Sequence, residues 1–149
     1  MKTRAMIFLI ALLAAVSAVA QPAVPLPDAS PAATVGQRIG ITDVNVNYHR
    51  PAVNKRKIFG GLVPYGVIWR AGANENTTIT FSTPVKVEGQ AVPAGTYGFF
   101  LIPGEQQWTV VLSKFAGAWG TYTYDQSEDA ARATVTAQPR NDVQERMVY

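Results

Sequence analysis

Apolar and polar residues alternate with a period of two along several short stretches of the chain. In the clearest stretch, 78–82, Ile79 and Phe81 point one way while threonine and serine side chains point the other. Such alternation is typical of a β-strand with one buried and one solvated face. Further stretches that we predict as strands are 38–48, 85–92, 96–102, 108–112, 121–124, 131–137 and the beginning of a last one at 145–149.

Turn signals separate these stretches. A turn around Thr42 and Asp43 divides 38–48 into two short strands, and residues 88–90 form a hairpin tip in which glycine supplies a positive φ. Strands at spacings of about 8 to 12 residues, without a βαβ rhythm, are typical of antiparallel sandwiches and barrels. We therefore expect an all-β fold, a single antiparallel β-sandwich or flattened barrel of about seven to nine short strands.

Two segments depart from simple alternation. Residues 96–102 are apolar on both faces, which predicts a strand in the middle of the sheet system. In 57–77, glycines and prolines interrupt apolar residues that need burial. This composition excludes a regular helix and predicts turns joined by short extended pieces such as 67–70.

The N-terminus has the pattern of a secretory signal peptide. Lys2 and Arg4 precede an apolar run of about 15 residues, shorter than the roughly 20 that a membrane anchor needs, and a small-x-small cleavage site ends at Ala20. We predict a signal peptide at 1–20, a proline- and alanine-rich tether at 21–34 and the folded domain at 35–149. The protein is then expected to be secreted or periplasmic, with no membrane span after cleavage.

The composition narrows the function classes. The chain has 149 residues, 48% of them hydrophobic, which suffices for one domain with a core. Cleavage after Ala20 would remove two of 13 bases and leave 11 against 10 acids, so the predicted mature charge is +1 and a nucleic-acid partner is not expected. The absence of cysteine excludes disulfides, thiolate metal sites and cysteine nucleophiles.

Several motifs resemble a known family. YHRP at 48–51, the long block at 56–81, PAGTY at 93–97 and the residues from WG to Asp125 resemble the secreted bacterial family catalogued as Domain of Unknown Function 2911. The resemblance covers 31–149 and implies no activity, because the family is named for lacking one. It also implies that the family domain runs on past Tyr149, so that this chain stops inside a strand with one or two closing strands missing.

Bases dominate the segment 44–74, which holds no acid at all. They are Arg50, Lys55, Arg56, Lys57 and Arg70. Such an excess predicts a face that binds a carboxylate, a phosphate or a sulfated sugar. The alternative, which we favour, is that the three consecutive bases form a solvated loop and that the two lone arginines pair with Glu75 or with the acidic turn 125–129.

Arg70 and Glu75 flank a turn, 71–74, that would bring a guanidinium and a carboxylate face to face. A structural clamp would use this geometry, and so would a ligand site in which Asn74 and Thr77, or its neighbour Thr78, add hydrogen-bonding groups. We favour the clamp, because buried ion pairs often fix register.

Aromatic residues offer candidate stacking surfaces for sugars. Trp119 and Tyr122 lie in a glycine-rich turn and are predicted to be exposed. Trp69, Trp108 and Tyr124 are more typical of core packing, because aromatic side chains bury large areas in small β-domains.

No catalytic or metal-binding motif stands out. The chain has no G-x-S-x-G elbow, and its single histidine, His49, is read as a surface residue at a strand end. The acidic turn lacks the bend-forming glycine of a calcium loop. We expect no catalytic residues, no metal and no cofactor.

These observations favour a non-enzymatic binding or interaction module for a small polar or anionic ligand, a glycan or an envelope partner. The candidate ligand-binding residues are Tyr48, Arg50, Lys57, Arg70, Asn74, Glu75, Thr77, Trp119 and Tyr122. One alternative is a hydrolase that uses Glu75 as general base with Arg70 and Asn74 orienting the substrate. A second alternative is a structural protein of the envelope.

Overall fold

A computed structural model describes residues 26–149 of the protein, so the predicted signal peptide lies outside the described residues. The described chain is all-β, with eight strands and one short 3-10 turn at Gln126–Glu128. The strands are β1 Ala32–Ile39, β2 Thr42–His49, β3 Thr78–Phe81, β4 Val85–Val87, β5 Gln90–Val92, β6 Gly95–Ile102, β7 Gln107–Ser113 and β8 Asp129–Thr136. The predicted fold class and strand number are confirmed.

Six strands form one antiparallel sheet in the order β1-β2-β3-β6-β7-β8, and β4 and β5 form a separate two-stranded sheet. The first and last strands of the large sheet, β1 and β8, do not pair with each other, so the described residues form no closed barrel. The smaller sheet packs on one face of the larger one. Its Val92 is 1% exposed and lies in a core cluster with Phe81, Tyr97, Leu112 and Ala131.

The opposite face of the large sheet has its own core. Because side chains alternate along a strand, Phe100 and Val111 point away from the first core and pack with Ala118 from the connection between β7 and β8. Strand β6 is therefore buried on both faces, as its sequence predicts. Irregular segments, rather than a second sheet, cover this face.

The first hairpin turns earlier than its sequence predicts. Gly40 and Ile41 form the turn, with Gly40 at φ 61°, whereas Thr42 and Asp43 are already the first residues of β2. A two-residue turn of this kind needs positive φ, which glycine adopts without strain. Strand β1 begins at Ala32, so the last three residues of the predicted tether pair with β2.

Two other predicted strands are absent from the described fold. Residues 121–124 form turns, and the 3-10 turn that follows is capped by Asp125, whose side chain accepts a hydrogen bond from the Ser127 N–H at 2.9 Å. Near the C-terminus, the alternation at 145–149 yields a single isolated bridge between Ala52 and Arg146. Local alternation was present in both places, but neither segment finds a neighbouring strand along its length.

Gln90 protects the outer edge of β8. Its side-chain amide donates from Nε2 to the Arg132 carbonyl, and its Oε1 accepts from the Arg132 N–H at 3.3 Å. The amide thus imitates the pair of hydrogen bonds that a neighbouring strand would make.

The glycine-rich segment continues the line of β3 along β6. Trp69 and Leu101 exchange two backbone hydrogen bonds, with N···O distances of 2.7 and 2.9 Å. Since neighbouring side chains in an extended piece alternate, Trp69 lies on the Leu101 face of the sheet and Arg70 on the other. This short piece therefore brings a guanidinium to the face that the β7–β8 connection covers.

Candidate functional site

The turn at 71–74 contains two left-handed residues, of which Asn74 is of a type that favours this conformation and Ala71 is not. Ala71 and Asn74 adopt φ values of 53° and 56°, which non-glycine residues rarely adopt. Thr77 is fully buried and donates from Oγ1 to the Ala71 carbonyl at 3.0 Å. A Cβ on Gly72 would lie 2.7 Å from that Oγ1 and 3.3 Å from the His49 carbonyl oxygen. The turn is therefore packed against the end of β2.

Arg70 reaches an exposed aromatic pair on the far side of this turn. Its Cζ lies 5.6 Å from the ring centroid of Trp119, within the range of a cation–π interaction. The rings of Trp119 and Tyr122 are parallel to within 4°, with centroids 6.0 Å apart. Trp119 is 57% exposed and Tyr122 is 83% exposed, as their place in a glycine-rich turn predicts. These three side chains are called the aromatic platform below.

Gly120 allows the platform to assemble. It is buried with φ +70°, and a Cβ at this position would lie 3.0 Å from Nη1 of Arg70 and 3.3 Å from the ring of Tyr122. Any larger residue would therefore be strained in its backbone and would push the guanidinium and the rings apart.

Backbone pairing fixes the platform to the turn. Glu75 and Trp119 form an antiparallel bridge, and the Asn76 N–H donates to the Ala118 carbonyl at 3.2 Å. Because Ala118 belongs to the second core, the platform rests on packed side chains rather than on a free loop. The exposed rings are thus held in a defined orientation.

Glu75 does not pair with Arg70, so the predicted structural clamp is wrong. No ion pair joins these two side chains within residues 26–149; Oε2 of Glu75 instead lies 3.2 Å from Nε2 of His49. The cause is the turn itself, which packs Gly72 against the His49 backbone while Arg70 extends over Trp119. The Glu75 side chain is 65% exposed and that of His49 is 18% exposed.

Two buried polar groups beside the platform lack a partner in the described chain. Asn76 is 8% exposed, and neither its Oδ1 nor its Nδ2 makes a hydrogen bond; the same holds for Nε of Arg70. A buried polar group without a partner costs about 1–3 kcal/mol. The Asn76 amide lies against Gly98, where a Cβ would approach Nδ2 to 2.6 Å.

The structure brings Arg70, Glu75, Trp119 and Tyr122 together, but not the other candidate residues. Four of those bind neighbouring segments: Tyr48 is buried against the ring of Tyr149, Arg50 donates to the Met147 carbonyl, Asn74 to the Ser30 carbonyl and Thr77 to the Ala71 carbonyl. Lys57 is exposed in a loop. The expected pairing of Arg50 with an acid is also wrong, since its Nε bonds to a backbone carbonyl.

The sequence interpretation missed His49 as part of the site. Alternation along β2 places His49 on the same polar face as Asn45 and Asn47, and this could have been read from the sequence. Its contact with Glu75 could not, because the two residues lie 26 positions apart and meet through the unusual turn. The sequence thus indicates the polar face of β2 on which His49 lies, but not its contact with Glu75.

The acidic turn is occupied by structural contacts. The Asp129 carboxylate accepts from Tyr124 Oη at 2.9 Å and pairs with Arg132 at 2.8 Å. Burial raises the pKa of Tyr124, and the bond to Asp129 raises this pKa further. The bonds from Ser127 lower the pKa of Asp125.

Residues 26–149 contain no group of three or more histidine or acidic side chains placed to hold a metal ion. Within the same residues, no helix is long and apolar enough to cross a membrane.

Comparison with known families agrees with the motifs in the sequence. The family model described as "Protein of unknown function (DUF2911)" matches residues 30–149, which confirms the resemblance. Neither the curated proteins nor the solved structures contain a match to the chain.

Proposed function

The chain belongs to the DUF2911 family, whose description assigns no activity, and we propose that it is a non-enzymatic binding module that holds a glycan on the aromatic platform. The observation that carries this proposal is the parallel, exposed pair of Trp119 and Tyr122 with a guanidinium fixed over the Trp119 ring.

Such a surface suits the two-sided chemistry of a sugar ring. The C–H groups of a pyranose form an apolar face that packs on an aromatic ring, whose face carries partial negative charge. The hydroxyls at the rim need donors and acceptors. Arg70, which lies over the Trp119 ring, supplies donors. The exposed Glu75 carboxylate, which contacts His49, supplies acceptors.

The rigidity of the platform favours binding. Trp and Tyr side chains have only two side-chain torsions, so little conformational entropy is lost when a ligand orders them. Here the rings stack on each other, and the backbone of Trp119 is paired with Glu75. Exposed aromatic side chains held in this way are more typical of an interaction surface than of packing.

We also propose that the protein acts outside the cytoplasm, in the periplasm or as a secreted protein. The support is the pattern of residues 1–20, and envelope glycans are ligands to be found there. Expression with the native N-terminus, followed by N-terminal sequencing of the exported protein, tests this; a mature chain that starts at Gln21 is the expected result.

Titration with soluble oligosaccharides tests the glycan proposal. Neutral, amino and uronic-acid oligomers would be compared by calorimetry and by tryptophan fluorescence. Trp119→Ala and Tyr122→Ala are expected to weaken binding about ten-fold or more, as for other aromatic anchors. Tyr65→Ala serves as the matched control, because Tyr65 is 41% exposed and lies outside the platform. The proposal fails if no oligomer binds or if the control weakens binding equally.

The hydrolase alternative is supported by a different observation, the contact of His49 with an accessible Glu75. The Glu75 carboxylate contacts a histidine and is open to solvent, so a substrate proton has access to it, as a general base needs. If the site is catalytic, Glu75→Gln abolishes turnover of a bound oligomer but leaves its affinity nearly unchanged. Binding without any turnover in the unmodified protein would leave only the binding function.

A further inference from the structure

A groove of about 640 Å³ lies beside the glycine-rich segment, away from the platform rings. One wall is the loop after β2, and the other is the chain near the C-terminus. The residues that give it its apolar lining include Ile58, Phe59, Leu62, Val63, Trp69 and Met147. Its volume falls within the range of about 300–1,000 Å³ that is usual for sites of small molecules.

Both walls are anchored, so the groove is preformed. Backbone hydrogen bonds join Val53 to Glu145 at 2.8 Å and Met147 to Pro51 at 3.1 Å. The Arg50 guanidinium adds a bond from Nε to the Met147 carbonyl at 3.0 Å. On the floor, the ring of Phe59 packs edge-on against Trp69 and Trp108, with centroids 5.8 and 4.5 Å away. A ligand would therefore not have to separate the walls.

The charged residues that line the groove are all arginines, Arg56, Arg70 and Arg140, but the Arg70 guanidinium extends over Trp119 on the other face of the sheet. Asp142 neutralises Arg140 through two bonds of 3.0 and 2.8 Å. Arg56 has no acidic partner within residues 26–149; its Nε and Nη2 donate to the backbone carbonyls of Val53 and Ala52 at 3.1 and 2.7 Å. These bonds hold an uncompensated positive charge at the rim and leave Nη1 of Arg56 to donate elsewhere.

From this combination we infer that the groove binds an amphipathic carboxylate, a single apolar chain that ends in a carboxylate group. When the apolar chain of the ligand enters the groove, apolar surface of both is removed from water, which is favourable in proportion to the area buried. The carboxylate accepts charge-assisted hydrogen bonds from Arg56. A cation of the same length would meet the same apolar walls but would be repelled by Arg56.

Three probes with a ten-carbon chain test the inference: decanoate, decanol and decyltrimethylammonium. Each is titrated into the intact protein, and binding is measured by calorimetry and by tryptophan fluorescence, to which Trp69 in the groove contributes. Decanoate is expected to bind about ten-fold more tightly than decanol, with decyltrimethylammonium weakest, since a hydrogen bond to a charged group strengthens binding, though less at an open rim than in a buried site. Equal affinity for decanoate and decyltrimethylammonium would overturn the inference, as would no binding of decanoate.

Two variants locate the site. Arg56→Gln is expected to lower the affinity for decanoate about five-fold without changing that for decanol, and its matched control is Lys55→Gln, which removes the neighbouring charge outside the groove. Leu62→Glu places a negative charge at a position that is 58% exposed and should invert the preference towards the cation; Ile41→Glu, at an 85% exposed position elsewhere, is its control. The inference is wrong if either variant behaves like its control. The glycan proposal does not depend on this result, because neither Arg56 nor Leu62 belongs to the platform.

Discussion

On the β6–β8 side of the large sheet both faces are covered, whereas β1 keeps most of its side chains in solvent and β2 is only partly covered. Seven of the eight residues of β1 are exposed. In β6, by contrast, four residues are buried and only Thr96 is exposed. The covered half is held by two hydrophobic cores. The open half is held by backbone pairing and by polar contacts such as the Thr34–Asn47 hydrogen bond of 2.7 Å.

The difference shows where this fold can place a binding surface. In the covered half, the β7–β8 connection packs on the sheet and carries the platform outward on a rigid base. In the open half, the polar face of β2 ends at His49, which meets Glu75 where the two halves join. The candidate site thus lies at the border, where a packed support and accessible polar groups occur together.

Truncating a side chain in each half should show the largest difference in stability between the covered and the open half. Phe100 is 1% exposed and packs with Val111 and Ala118, so Phe100→Ala is expected to lower the free energy of unfolding by about 3–5 kcal/mol. Ile39→Ala in β1 removes a side chain that is 62% exposed and should cost about 0.5 kcal/mol or less. Urea unfolding of both variants measures the contrast. Equal losses would mean that the open half buries more than its exposure indicates.

Replacing a glycine by alanine on the same face of the large sheet should also destabilise the covered half more than the open half, but by less than the core truncation. A Cβ on Gly98 would lie 2.6 Å from both the Phe115 carbonyl oxygen and the buried Asn76 amide, so Gly98→Ala is expected to cost about 1–3 kcal/mol. In Gly36→Ala the new methyl would clash only with the exposed Asn45 side chain, which can rotate away, and would lie in ordinary contact with the Val44 carbonyl oxygen. We expect this variant to stay within about 0.5 kcal/mol of the parent protein, because alanine also lowers the entropy of the unfolded chain. If thermal unfolding ranks the two variants in the opposite order, the conclusion that Gly98 has less room for a methyl group than Gly36 is wrong.

The smallest effect is expected for the exposed Arg38–Asp43 pair, which joins β1 and β2 through two bonds of 2.7 and 2.8 Å. The hydrogen bond from Arg38 lowers the pKa of Asp43. A lowered pKa means that the pair stabilises the protein above the ordinary aspartate pKa of about 3.9 and that this contribution is lost as the pH falls through the lower, folded-state pKa. Asp43→Asn should therefore lower the Tm slightly near neutral pH and not at all in strong acid or in high salt. Glu105→Gln, which removes an exposed carboxylate outside any ion pair in residues 26–149, should show no such pH dependence.

The fold could be predicted from sequence wherever one local rule was sufficient. Period-two alternation located β3 and β6, and the glycine at 89 fixed the hairpin of β4 and β5. The first turn was misplaced because two short strands with a polar residue between them fit more than one register, and only Gly40 selects the observed one.

The candidate site was less accessible to such reasoning. The sequence identified Arg70, Glu75, Trp119 and Tyr122 as residues that needed an explanation, but it paired the first two with each other. Their true partners are 49 and 26 positions away, at Trp119 and His49. These contacts form across a turn in which Ala71 and Asn74 are left-handed; asparagine adopts this conformation more readily than most residues, but no preference of alanine indicates it.

The amide of Gln90 has a consequence for solubility. An edge strand with unpaired backbone groups is a template on which further chains can add and grow into fibrils. At Arg132 both backbone groups are already engaged by that one side chain, so a strand arriving at this edge would first have to displace it. A single glutamine from the smaller sheet thereby serves as a gatekeeper against aggregation at the β8 edge.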